Sequence, residues 1–217
     1  MGEYYHIYNR GTDRRDVFLD DEDRQRFVKL LFVANGTNSF VFRDFPKGLH
    51  YTDFKRGNPL TAIGAFCLMD NHFHILAKET TENGISAFVL KTLTSYSHYF
   101  NKKYERKGRL FQGTFQAQHA DTDEYLKYLF AYIHLNPVKI IDPTWKECGV
   151  KNKKATKEYL ENYRFSSFPE YTDADQLAKC RNEAKILTKE AFPEYFLTPK
   201  SFDAFVDEWL MFRHFIL

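Results

Sequence analysis

LTAIGAFCLMDNHFHILAKE (60–79) holds two β-rich runs on either side of MDN (69–71), and its reading decides the fold. Asp70 and Asn71 tolerate turn conformations and the flanks favour strands, so the segment predicts a tight antiparallel hairpin whose second strand opens with HFH. Successive side chains of a strand point to opposite faces. His72 and His74 therefore share a face, about 6.6 Å apart, while Phe73 points the other way. Two imidazoles so placed can grip one metal ion, although strand histidines satisfied by backbone or water are the commoner use of so short a motif.

Outward from the hairpin, EYYHIYNRG (3–11) has strand content ending at a turn glycine. The stretch from Thr12 to Ala34 then reads as a helix, with Phe27, Leu30, Leu31 and Ala34 on one face and the acids Asp20 to Asp23 at its favourable N-terminal end. Residues 35–59 carry Gly36, Pro46, Gly48, Gly57 and Pro59, the marks of an irregular surface insertion, with a short strand expected at 40–42. After the hairpin comes a long amphipathic helix over 85–104, then a strand in RLFQGTFQAQHA (109–120). DTDEYLKYLFAYIHLNP (121–137) follows as a helix led by capping acids and stopped at Pro137.

The order strand, helix, strand, strand, helix, strand, helix implies an α+β, ferredoxin-like fold: a mostly antiparallel sheet with helices packed on one face. One catalytic domain is expected over 1–150, with 35–59 as its insertion. A C-terminal extension over 151–217 begins with the basic run KNKKATK (151–157), read as solvated, and includes an amphipathic helix after Pro199.

Composition narrows the class without choosing a function. The 217 residues are 43% hydrophobic with a net charge of +2, so a nucleic-acid partner must rest on local patches rather than on total charge. Aromatic residues are abundant, with 22 Phe, 14 Tyr and 2 Trp, which serves either a core or base stacking. Three widely spaced cysteines without a C-x-x-C argue against a disulfide scaffold or a zinc cluster, and no apolar leader or membrane-length run occurs. A cytoplasmic protein without a membrane partner is expected.

In AYIHLNP (131–137), Tyr132 and Asn136 are four residues apart and so lie one turn from each other on one helical face. Beside the strand carrying His72 and His74, that face would add an amide oxygen to two imidazoles as metal ligands and place a phenol near them. Such a set suits attack on a phosphodiester. The bland alternatives are that Tyr132 belongs to an aromatic core stripe with Tyr125 and Tyr128, and that Asn136 merely ends a helix before proline. Tyr128 is expected to be the deeper of the two candidate tyrosines. NKKYERKGR (101–109) carries five basic residues and one acid, which suits either contact with a phosphate backbone or a solvated helix end.

LMDNHFHIL followed by a helix, then GRLFQGTF, then DEYLKYLFAYIHLNPVK, resembles the HUH single-tyrosine transposases, and among them the REP-associated tyrosine transposases. The resemblance spans about Tyr5 to Lys139, and YRFSSFPEY (163–171) is similar to a segment that often follows. It implies His72, His74 and Asn136 as ligands of Mg²⁺ or Mn²⁺ and Tyr132 as the nucleophile. It further implies nicking and joining of single-stranded or hairpin DNA through a 5′-phosphotyrosine, by a monomer or homodimer. Arg10, Lys102, Lys103, Arg106, Lys107 and Arg109 are the expected DNA contacts. The chain departs from the pattern with Thr114, Gln116 and Gln118 where family members often carry basic residues, with IIDPTW after the N-P-V motif, and with a long insertion.

Two other functions compete with this reading. A domesticated relative that binds DNA or RNA hairpins without catalysis would be marked by loss of the tyrosine or a histidine, and neither is lost. A phosphoesterase with a histidine nucleophile usually has a longer histidine ladder, and residue 76 is Leu.

Overall fold

In the computed structural model, which describes residues 2–42, 45, 50–172, 181–196 and 198–211, the expected hairpin forms from β2 (Thr61–Met69) and β3 (His72–Glu79). Asp70 and Asn71 alone join the strands, Met69 pairing with His72 and Cys67 with His74. β1 (Tyr4–Arg10) lies antiparallel to β3, and β4 (Gln116–His119) antiparallel to β1. The sheet order β2-β3-β1-β4, all antiparallel, with helices packed on it, is the expected α+β architecture.

Both faces of the sheet are covered, which corrects the expectation of helices on one side. Helices α1 (Asp21–Val33) and α2 (Gly84–Lys103) cover the face presenting Ile7, Ile63, Phe66, Leu68, Phe73 and Ile75. Helix α3 (Asp123–Leu135) covers the other, against Ala62, Ala65, Cys67, Met69 and Leu76. The signal was in β2, whose nine residues are all buried: a strand apolar on both faces needs a layer on each. A bulge between Ile63 and Ala65 leaves Gly64 under the Phe192 ring, where a Cβ would come within 2.7 Å of ring atoms.

Local chemistry sets the element ends. The first helix begins at Asp21, not Thr12, because the Asp20 side chain caps it by accepting from the Asp23 amide, while Asp13 and Arg14 adopt positive φ and break any earlier start. The strand read over 109–120 shrinks to 116–119: Gly113 has φ 63°, and only Phe111 bridges back to Gly11 before it. No strand forms at 40–42. Phe42 instead stacks on Phe45, and Phe45 on Phe54, with the Arg26 guanidinium 4.2 Å from the Phe42 ring centre.

Beyond α3 the chain adds α4 (Val138–Ile141), α5 (Trp145–Cys148), α6 (Lys153–Asn162) and α7 (Pro199–Met211). Trp145, Phe168 and Phe202 are fully buried in the same core as α3, and Phe202, Val206 and Leu210 form the inward stripe of α7. Lys157, in the basic run, pairs with Asp203 and Asp207 of α7, and Lys153 with Asp207. No helix among the described residues is long and apolar enough to cross a membrane.

Candidate active site

Strand register assembles the site. Arg10 pairs with His72 and Tyr8 with His74 across β1 and β3, while Tyr8 pairs with Gln116 and His6 with Gln118 across β1 and β4. Paired residues share a face, so His6, Tyr8, Arg10, His72, His74, Gln116 and Gln118 all look toward α3. Together with Tyr125, Tyr128 and Tyr132 of α3 they line a cavity of about 600 Å³.

The hairpin turn holds His72. The Asp70 carbonyl accepts from the Val17 and Phe18 amides, the Arg24 guanidinium lies 2.6 Å from the Asp70 carboxylate, and Asn71 Nδ2 donates to the Arg14 carbonyl. That last bond turns Asn71 Oδ1 toward His72, 2.6 Å from Nδ1. An amide oxygen only accepts, so His72 Nδ1 carries the proton and Nε2 presents a lone pair. His74 is 5% exposed, and its Nδ1 lies 2.9 Å from His6 Nε2 while its own Nε2 is buried without a partner. All three rings are neutral at pH 7. Burial pushes His6 to about 4, burial aided by Arg10 and Lys139 does the same to His72, and burial beside His6 and His72 holds His74 well below the usual range.

The Tyr132 ring meets His74 edge-on at 5.2 Å and His6 at 5.7 Å, and Tyr128 stacks on it at 5.7 Å. Depth does not separate the two tyrosines, since both are half-buried and both line the cavity. Contact does: among the ring contacts of the described residues, Tyr132 meets the histidines whereas Tyr128 meets Tyr125, Tyr132 and Trp209. Burial raises the Tyr132 pKa, and the Asn136 amide opposes that rise. Asn136 is 2% exposed and does not line the cavity, and neither its amide nitrogen nor its oxygen makes a hydrogen bond of good geometry.

Among the described residues no group of three or more His, Cys, Asp or Glu side chains could hold a metal ion. Of the three histidines gathered here, His6 has its Nε2 turned to His74. What remains is His72 Nε2, His74 Nε2 and Asn136 Oδ1, the last two buried without partners. An imidazole pair with one amide oxygen, and two stranded atoms, fits a divalent cation bound with open positions.

The expected DNA contacts separate into groups. Arg10 lines the cavity, and Lys102, in the last turn of α2, and Lys107 and Arg109, on the turn that follows, are exposed. Lys103 is instead bound to Asp20, Glu22 and the fully buried Asp23, and Arg106 donates to Asn101. Sequence reading missed His6, Tyr8, Lys139 and Lys146, and named Gln116 and Gln118 only as positions where family members often carry basic residues. For the first two the signal was period-two alternation through HIYNR, which places residues 6, 8 and 10 together. Lys139 and Lys146 follow Pro137, where no periodicity tied them to the site.

Residues 58–136 match the family model of IS200-like transposases. The IS200-like segment thus runs from the start of the hairpin through Asn136 and carries His72, His74 and Tyr132. A solved structure of a REP-associated tyrosine transposase bound to a REP hairpin aligns at 18% identity with a TM-score of 0.49, covering 78% of each chain. No curated protein matches the sequence.

Proposed function

We propose that the protein is a metal-dependent DNA nicking and strand-transfer enzyme of transposase type, acting on single-stranded or hairpin DNA with Tyr132 as nucleophile. The observation that carries this reading is the edge-on contact of Tyr132 with His74, both within the IS200-like segment, 5.2 Å between ring centres at the wall of an open cavity. His72, His74 and Asn136 would hold Mg²⁺ or Mn²⁺, which supplies Lewis-acid polarisation of the scissile phosphate.

The chain's own groups do the rest. Tyr132 Oη forms a bond to phosphorus as the bond to the 3′ oxygen breaks; the phenolic proton is lost and the departing oxygen gains one, leaving a 5′-phosphotyrosine and a free 3′-hydroxyl. Neutral His72 and His74 keep lone pairs for coordination. Arg10 and Lys139 bring positive charge to the cavity wall, and Lys102, Lys107 and Arg109 extend it along the turn for backbone contact. Residues beyond 150 buttress α3 through α7 and so fix the helix bearing Tyr132.

The test is incubation with hairpin-bearing single strands and Mn²⁺, followed by denaturing electrophoresis. A covalent protein–DNA adduct that EDTA prevents is expected. Binding without adduct or cleavage would favour a non-catalytic hairpin-binding protein.

A further inference from the structure

His72 and His74 line the same cavity, and only one has an obvious partner fixing which nitrogen carries its proton. For His72 that partner is Asn71, whose oxygen requires a proton on Nδ1. For His74 the corresponding atom faces another imidazole, His6 Nε2 at 2.9 Å, with the rings stacked at 27° and 5.0 Å between centres. We propose that His6 is a positioning residue that accepts a hydrogen bond from His74 Nδ1–H and thereby holds His74 in the form whose Nε2 lone pair faces the cation. The proposal rests on the metal reading above.

The geometry favours this arrangement over its reverse. If His6 Nε2–H donated instead, His74 would carry its proton on Nε2, a buried atom with no partner. A stranded N–H donor is worse tolerated than a stranded lone pair, and it would have to be lost before coordination. With the proton on His74 Nδ1, the only stranded atom of the pair is the lone pair of His74 Nε2. His6 Nδ1, which then keeps its own proton, is not among the buried atoms lacking a partner.

His6 is placed for the task by the fold. It sits in the middle of β1, 7% exposed, and its pairing with Leu76 puts it diagonally across from His74 on the same face. The edge of Tyr132, 5.7 Å away between ring centres, confines the ring further. His6 thus does for His74 what Asn71 does for His72, from a neighbouring strand rather than from the turn. A partner that fixes the orientation and tautomer of a ligating histidine commonly changes metal affinity by about 10–100-fold when removed.

Nitrogen-15 NMR of the metal-free protein reads the tautomer directly, and Mn²⁺ titration reads its consequence. In the wild type His74 should carry its proton on Nδ1. His6→Gln places an amide oxygen near the position of Nε2 and should keep both the tautomer and the Mn²⁺ affinity within a few-fold. His6→Phe should move the His74 proton to Nε2 and weaken Mn²⁺ about 10–100-fold. A wild-type His74 protonated on Nε2 overturns the proposal even if His6→Phe fails to fold. So does a folded His6→Phe with unchanged Mn²⁺ affinity. If the wild type binds no Mn²⁺ yet His74 carries Nδ1–H, the metal reading fails while the hydrogen-bond assignment stands.

Discussion

The ammonium of Lys146 lies 4.6 Å from the centre of the Tyr132 ring. A cation over a phenol favours the phenolate, and Tyr132 needs that help because burial raises its pKa. Lys146 is itself pushed down to about 8 by burial and by Lys139, so it loses its charge near the upper end of the neutral range. Lys146→Met should slow adduct formation at pH 7 by about tenfold, a modest loss of charge stabilisation. The loss should shrink above pH 8, where wild-type Lys146 is also neutral. A pH-independent loss would mean that Lys146 only packs.

His74→Ala removes one proposed ligand and leaves the backbone-contacting cations in place. It should abolish Mn²⁺ binding and cleavage while sparing most DNA affinity, because phosphate contacts by lysine and arginine do not need the ion. Unchanged cleavage by this variant, measured on a labelled hairpin strand, would remove the metal from the account.

Lys103 and its neighbours on the basic turn should behave differently. Neutralising Lys102, Lys107 and Arg109 together should weaken DNA binding across sequences and flatten its salt dependence, each lost phosphate contact lowering the slope by about one. Lys103→Met should leave that slope alone and instead lower stability by about 1–2 kcal/mol, since it strips the counter-charge from buried Asp23 and from Asp20. Salt-titrated binding and denaturant melts distinguish the two effects.

His134, which does not line the cavity, supplies a separate pH signature. It is fully buried, 2.8 Å from Ser167 Oγ, and burial, opposed by the Phe130 carbonyl, holds its pKa at about 3. A histidine lowered on folding binds its proton more readily in the unfolded chain. Its stabilising contribution is therefore complete above pH 6.5 and falls away as pH drops toward 3, by roughly 1.4 kcal/mol per unit at most. His6 and His72 act in the same direction between about 6.5 and 4. Replacing His134 by Gln should reduce the pH slope of unfolding free energy in this window by up to one proton.

The hairpin, the long α2 and the shared face of His72 and His74 were legible because each rests on a local rule: turn chemistry, helical periodicity, strand alternation; that Tyr132 would face the HFH strand came only with the family resemblance. What was not legible depends on register. Nothing within EYYHIYNRG says that His6 will lie against His74, because that follows from which strand pairs with which and at what offset. Lys103 misled for a similar reason: the acids that claim it lie 80 or more residues earlier, at the start of α1. The second helical layer was readable in principle from the unbroken apolar run of β2, yet the order of elements pointed to one layer.

Peptide mapping of the trapped protein–DNA adduct tests the central claim most directly. The DNA should be found on Tyr132, with Tyr132→Phe binding DNA normally but forming no adduct and Tyr128→Phe forming it. DNA attached to Tyr128 or to a histidine would contradict the assignment. Efficient cleavage with no adduct at all would point instead to hydrolysis by water at the same site.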